Sequence, residues 1–496
     1  MENESQKPPQ LPSSSMTIFE RISNSIILKL FVIFILVLIM MIPMSLIDDL
    51  VSERKNREQQ VSSEIAAKWG RDQVVSSPVL AVPYEYLSEV IEKDSKGKDY
   101  TVQQINRDWV FLLPGNTQIT TEIKPESLKR GIYQSVVYNS ELTLKGTFDG
   151  FDSKQLPVEL DKIKWKEAQL VFGIQDVKGL SSNPAVMWGN DKLTLAMNVK
   201  DFDLFNNNMT TSVPLANIDD TKSDFQIKVK LRGSKSVNFL PLANHNLIQA
   251  KGSWRNPSFN GAYLPEAREV SDKDFNASWN IPSFGRKVPQ QWSGANTRLY
   301  RFSGMSLADA DFDTYVGTAD AAASAVAAAS TSIEAATDMD MVQINFLPEV
   351  NNYQKTTRVA KYGILVIVLT FASLFFTEII KKQRIHLIQY ILIGAAMVLF
   401  YSLLLAISEH MGFNVAYLLA AIATVGLIAS FIKMITKDNR TALLFMGILG
   451  LFYGFIFVLM QLRDYSLIVG TIGIFIILAI LMRISTKINW YQFDKQ

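Results

Sequence analysis

No cysteine occurs in the 496 residues, which excludes a disulfide framework, a thiolate metal site and a cysteine nucleophile. Histidine occurs only three times. His245 stands in Asn244-His245-Asn246 without a second histidine or carboxylate at ligand spacing, so it reads as a solvated or hydrogen-bonded side chain, not a zinc ligand. No metal and no cofactor is implied. A charge excess is missing too: 49 basic residues face 47 acidic ones. No basic patch is interleaved with aromatics, so nucleic acid is not an expected partner. There is no Gly-x-Ser-x-Gly elbow, phosphate-binding glycine loop, His-Glu-x-x-His or paired-carboxylate motif. The expectation is a non-catalytic protein.

What the chain has in abundance is long apolar runs. Six stretches carry no Asp, Glu, Lys, Arg or His: 30–47, 362–377, 387–408, 411–432, 441–462 and 465–482, each of 16 to 22 residues. Roughly 20 residues of helix cross the hydrocarbon core of a bilayer. The fold class expected is an α-helical polytopic membrane protein of six spans, one N-terminal and five C-terminal, with a large, predominantly β domain inserted after the first span. The implied division is a tail 1–25, a first span 26–47, an extramembrane domain 48–358, a five-helix bundle 359–484 (359–380, 386–408, 411–432, 441–462 and 465–483) and a tail 485–496. The first span follows a polar leader and precedes Asp48-Asp49 in place of a small-residue cleavage site, so it reads as an uncleaved anchor.

Short-loop cations set the orientation. Lys7, Arg21 and Lys29, then Lys381, Lys382 and Arg384, then Lys433, Lys437 and Arg440, then Arg483, Lys487 and Lys495 all fall on one side. Glu409-His410 and Arg463-Asp464 form the opposite short loops. Both termini are therefore expected in the cytoplasm and 48–358 outside it.

Within the outer domain, residues 53–69 predict a separate helix, with Val61, Ile65 and Trp69 four apart and Gly70 as its stop. The period then changes to two. Phe225, Ile227, Val229 and Leu231 alternate with polar residues, as do Leu142, Leu144 and Phe148, and Leu193, Leu195, Met197 and Val199. This pattern predicts mainly antiparallel, sandwich-like strands with one apolar face each. The Ala-rich stretch 319–337 reads as a surface helix or an insert, not a seventh span.

Several longer blocks resemble a known family. They are residues 384–420 (RIHLIQYILIGAAMVLFYSLLLAISEHMGFNVAYLLA), 353–361 (YQKTTRVAK), 130–133 (RGIY), 254–265 (WRNPSFNGAYLP) and the Asn489-Trp490-Tyr491 ending. Together, and in this order, they resemble the CreD family of inner-membrane proteins. The resemblance implies a role in cell-envelope integrity, with tolerance to certain colicins and a β-lactam or envelope-stress response. The chain departs from the family pattern at Ser77-Pro78, at Arg463-Asp464, where an acidic pair is usual, and in the Ala-rich insert.

Candidate functional or interface residues follow from charge and depth. Glu378, His386, Gln389 and Tyr390 gather near the cytoplasmic ends of the second and third spans. They read either as a polar seam for a proton, ion or lipid headgroup or as interfacial anchors and interhelical hydrogen bonds. Glu378 is expected to pair with Lys381-Lys382 or with His386. Glu409 and His410, at the outer end, are the pair best placed to meet the external domain. Arg463 and Asp464 stand where the family carries its acidic pair. Trp254, Tyr263 and Trp292 belong to an aromatic-rich stretch that either lines a glycan or peptide groove or fills a β core. The expected partners are the lipid bilayer and an envelope protein or peptidoglycan component. The competing readings are a transporter or channel for a small solute or lipid, and a membrane-anchored periplasmic hydrolase.

Overall fold

The computed structural model describes residues 26–93, 99–198, 202–286, 288–294, 299–300, 340–346, 352–381, 385–462 and 465–486. The chain divides into two compact units, Met1–Arg57 with Val350–Gln496, and Glu58–Glu349. The Ala-rich stretch 319–337 and the Arg463-Asp464 pair lie outside the described residues.

The first unit is helical. Its elements are α1 (Ile26–Trp69, whose last turns from Glu58 belong to the second unit), α2 (Asn352–Lys361), α3 (Gly363–Lys381), α4 (Leu387–Met411), α5 (Phe413–Thr436), α6 (Asn439–Gln461) and α7 (Ser466–Ser485). Among the described residues five helical runs are long and apolar enough to span a membrane, and Ile468–Arg483 is a shorter apolar helix beside them. Large apolar side chains such as Leu38, Ile42, Leu399, Leu418, Leu451 and Phe475 are exposed on these helices, as suits a surface whose solvent is lipid.

Two expectations about boundaries change. α1 is one helix of 44 residues through Pro43, not a span followed by a separate helix, because nothing between Ile47 and Glu53 caps or breaks it. The helical unit also resumes before residue 358, at Asn352, since YQKTTRVAK is an amphipathic helix that buries Tyr353, Thr356, Val359 and Ala360.

Small residues let α1 seat closely. A Cβ on Gly394 of α4 falls 2.8 Å from Met40 Sδ and 3.0 Å from Phe371 Cζ, and one on Gly363 of α3 overlaps Met44 Cε. Deeper in, aromatic rings interlock. Phe400 lies 4.9 Å from Tyr401, 5.5 Å from Tyr417 and 4.6 Å from Tyr453 by ring centroids, and the Tyr417 hydroxyl donates to Tyr453 O at 2.7 Å.

Among the described residues the second unit forms two sheets, of ten and eight strands. In the eight-stranded sheet burial alternates. Strand Asn116–Arg130 begins exposed, buried, exposed, buried, and Lys222–Ser234 buries Phe225, Ile227, Val229 and Leu231. In the central strands of the ten-stranded sheet, such as Gln73–Ser76, Gln169–Ile174 and Ser236–Leu240, burial is nearly continuous, because both faces are covered. Leu80 and Val82 point into the core shared by the sheets, whereas Val79 and Ala81 point into a second cluster with Phe111, Phe202 and Leu242. Most strand pairs are antiparallel, with Gln73–Ser76 beside Ser236–Leu240 and His245–Gly252 beside Asn116–Arg130 as parallel exceptions.

The stretch around Leu193–Val199 is not the single half-buried strand its alternation suggests. Asp191–Thr194 pairs within the eight-stranded sheet and Ala196–Asn198 within the ten-stranded one. The chain changes sheets at Leu195, and Met197 is exposed.

Two blocks that carry the family resemblance acquire physical roles here. RGIY is the two-residue turn of a long hairpin in which Arg130 faces Tyr133; Gly131 sits at φ +64°, and Arg130 pairs with Glu64 of α1 at 2.5 Å. In WRNPSFNGAYLP, strand Pro257–Gly261 pairs with Val342–Phe346, and Gly261 adopts φ +87° hard against Met341 O. Only glycine takes such backbone geometry at little cost.

Candidate functional site

Polar side chains of the helical unit collect at its two ends. At one end α1 begins, α3 stops, and α4 and α6 start. Lys29 of α1 donates to Glu378 Oε1, the Ile385 N–H reaches the same oxygen at 3.2 Å, and the Tyr390 hydroxyl donates to Oε2 at 3.2 Å. The Glu378 side chain is 10% exposed, so each of these contacts matters to a carboxylate largely removed from water. Leu374, Ile393, Ile432 and Phe445 wall a recess beside it, with Thr377, Thr436 and Thr441 in its lining.

The pairing differs from the one expected. Lys381 turns to Asp438 at 2.6 Å and to the Thr441 hydroxyl. His386 is spent on helix geometry. As N-cap of α4 its Nδ1 accepts from the Ile388 N–H at 3.4 Å, while Gln389 Oε1 accepts from the His386 N–H at 2.9 Å. This is a reciprocal capping box, with histidine in the place usually taken by serine or threonine. Asp438 in turn caps α6 through the Arg440 N–H. The Lys381 ammonium, the Thr441 hydroxyl and that N–H hold its carboxyl well below the usual carboxylate range.

At the other end Glu409 accepts from the Tyr353 hydroxyl at 3.3 Å and lies 3.7 Å from Arg54 Nε. Asn352 Nδ2 donates to Ser408 O at 3.2 Å, and Gln461 Nε2 to Asn414 Oδ1 at 3.0 Å. Glu409 therefore has partners on α1 and α2 of its own unit. His410 beside it is exposed. Lys29 and Arg54 are 25 residues apart on α1, about 38 Å along a helix, so ion pairs tie this helix to the bundle at both margins of its apolar run.

The aromatic stretch of the β unit does not form one groove. Trp279 is buried and its Nε1 donates to Tyr263 O at 3.0 Å. Trp254 packs edge-on to Phe346 at 6.4 Å, and Phe259 edge-on to Trp279 at 5.7 Å. Trp292 stacks on Phe111 at 5.0 Å in the second cluster, away from the core shared by the sheets. Phe284 is 97% exposed. Burial and the Asp340 carboxylate raise the Tyr263 phenol above its ordinary range. His245 is exposed at the start of its strand. Among the described residues no three metal-ligating side chains converge.

Sequence reasoning missed Lys29, Arg54, Tyr353 and Asp438 as partners. The available signal was depth. Lys29 lies just before the first apolar run and Glu378 just after the second, so antiparallel helices bring them to one level.

A helical membrane unit with a large two-sheet domain inserted after its first helix defines a polytopic membrane protein. Residues 25–491 match the family Inner membrane protein CreD, and the chain belongs to that family. It is 28% identical to the Inner membrane protein CreD of Escherichia coli (strain K12) over 461 residues, covering 92% of each chain. Among solved structures it has a slight likeness to an M1 zinc metallopeptidase from Deinococcus radiodurans, 6% identical over 35% of this chain and 40% of that one. The TM-score is 0.19, too low to bear on fold or activity.

Proposed function

We propose that this inner-membrane protein is non-catalytic and acts in cell-envelope integrity. Its β unit is the part that binds an envelope protein or peptidoglycan component, and its helices are the anchor. The observation that carries this reading is the filling of the helical bundle by interlocked rings, Phe371 on Tyr390 and Phe400 on Tyr401, Tyr417 and Tyr453. Its principal carboxylates are engaged at the margins by Lys29 and Arg54, where they tether α1. In this reading both termini are cytoplasmic and the β unit is periplasmic, supported by the one-sided distribution of loop cations. The links to colicin tolerance and to β-lactam and envelope stress are expected to follow from this envelope role.

The test is complementation. A strain lacking the protein should show altered β-lactam and detergent susceptibility, restored by the intact chain. The double variant Glu378→Gln, Glu409→Gln keeps both hydrogen-bonding side chains but removes both charges, and it should restore tolerance fully at equal membrane abundance. Failure to restore at equal abundance would favour a charge-coupled transporter instead.

A further inference from the structure

Only Lys437 and Asp438 separate α5 from α6. Lys437 closes α5 in the left-handed region, at φ +50°, and its N–H donates to Lys433 O at 3.0 Å, a common way to end a helix. This tight turn fixes the backbone that carries Lys433, Lys437 and Arg440. All three residues are exposed, and among the described residues their side chains have no hydrogen-bond or ion-pair partner. The two carboxylates at this end do not offset them, because Lys29 takes Glu378 and Lys381 takes Asp438. Arg483 of α7, the other cation described at this end, is exposed as well.

The same segment walls the recess beside Glu378. Ile432, Ile435 and Thr436 line it before the turn, and Thr441 and Phe445 after it. Recess-lining residues and unpaired cations are thus interleaved along one stretch of chain. Ile432 ends one uncharged run and Thr441 opens the next, which puts the recess where acyl chains give way to headgroups. Its lining is almost wholly apolar. The threonine hydroxyls there are already engaged, Thr436 donating to Ile432 O at 2.8 Å and Thr441 to Asp438 Oδ2 at 2.6 Å. A guest in the recess meets hydrocarbon, and a guest on the turn meets positive charge.

Depth and charge select the occupant. At this level of a membrane helix the surrounding molecules are lipids, and basic pockets between spanning helices bind anionic headgroups. A zwitterionic headgroup brings a cation of its own, which the unpaired Lys433, Lys437 and Arg440 repel. A soluble phosphate satisfies the turn but gains nothing from the apolar recess. Only an anionic group joined to an aliphatic chain uses both.

We propose that the α5–α6 turn and the adjoining recess form a binding site for an anionic phospholipid. Lys433, Lys437 and Arg440 hold its phosphate, and the recess takes the part of one acyl chain nearest the headgroup. The site lies wholly in the helical unit and is independent of what the β unit binds.

The test is native mass spectrometry of the full chain in detergent micelles, offered equal amounts of phosphatidylglycerol and phosphatidylcholine with identical chains. The wild type should retain phosphatidylglycerol in preference by roughly tenfold or more, since each cation near an anionic headgroup contributes about fivefold. Arg440→Gln, at an exposed and unpaired position, should lower that preference by roughly fivefold. Arg483→Gln removes one cation from the same end but outside the site, and should leave the preference as it was. Ile435→Trp keeps every cation but fills the recess, and should reduce phosphatidylglycerol retention. Glycerol 3-phosphate, the headgroup chemistry without the chains, should not displace the lipid. Equal retention of the two lipids by the wild type overturns the proposal. So does an equal loss from Arg440→Gln and Arg483→Gln, which marks diffuse surface charge. Retention unchanged by Ile435→Trp, or displacement by glycerol 3-phosphate, overturns it too, because the recess then plays no part. None of these outcomes depends on complementation, so the lipid site and the envelope-binding reading stand or fall separately.

Discussion

Lys29, the last cation before the first apolar run, donates to Glu378 at the far end of α3, 349 positions along the chain. With the Tyr390 hydroxyl on the other carboxylate oxygen, the pair joins α1, α3 and α4 at one level. A single carboxylate thus holds together a helix from one end of the sequence and two from the other.

Lys29→Met removes the cation and leaves Glu378 with only the Tyr390 hydroxyl and the Ile385 N–H. A largely buried carboxylate stripped of its partner should destabilise the helical unit by about 1–3 kcal/mol. Lys381→Met, which breaks a half-exposed pair with Asp438, should cost much less. Detergent-induced unfolding of both variants checks the order, and an equal loss from each would remove the special status of Lys29.

Two glycines with positive φ should respond differently to alanine. Nothing lies within 4 Å of a Cβ built on Gly131, so Gly131→Ala should cost only the backbone term, about 1 kcal/mol. At Gly261 the same atom overlaps Met341 O, and Gly261→Ala should cost about 3 kcal/mol or more by adding a clash to the strain. Thermal unfolding of the β unit within the full chain separates the two.

Tyr138 gives the β unit an alkaline limit. Burial, and after it the Asp72 carboxylate, hold its phenol well above the ordinary value of 10.0. Its hydroxyl donates to Ser236 O at 2.8 Å. Because the folded-state value is raised, this contribution is whole below pH 10 and is lost progressively as pH rises above it. Tyr138→Phe should lower stability by about 1 kcal/mol at neutral pH and flatten the alkaline decline. Denaturant titrations across that pH range measure both; a decline as steep as wild type would assign it to other groups.

Reporter fusions at Asp48 and Ala319 should read as external, and those at Gln383 and Gln496 as cytoplasmic. A fusion at Gln496 that is active outside would reverse the orientation argued from the loop cations.

The helices were legible because lipid imposes a strong sequence signature. Runs without charge, such as 387–408, coincide with α4 to within a few residues. The eight-stranded sheet was legible for a related reason: one face is covered, so Phe225, Ile227, Val229 and Leu231 keep a period of two. The ten-stranded sheet was not, because Val79, Leu80, Ala81 and Val82 are all buried and a strand covered on both faces loses its alternation. Leu193 and Met197 misled for the opposite reason. Their spacing is regular, yet the chain leaves one sheet and joins the other between them.

By itself, the sequence determined that the chain crosses a membrane several times, which loops carry the cations, and that a β domain follows the first helix. Those properties depend on local composition and period, which neighbours along the chain already express. Only the tertiary structure decided that Glu378 takes Lys29 and not Lys381 or His386, that His386 and Gln389 form a cap, and that Glu409 faces Arg54 and Tyr353. Partner choice depends on which helix ends share a level and which side chain reaches first, and that information exists only once distant segments are packed.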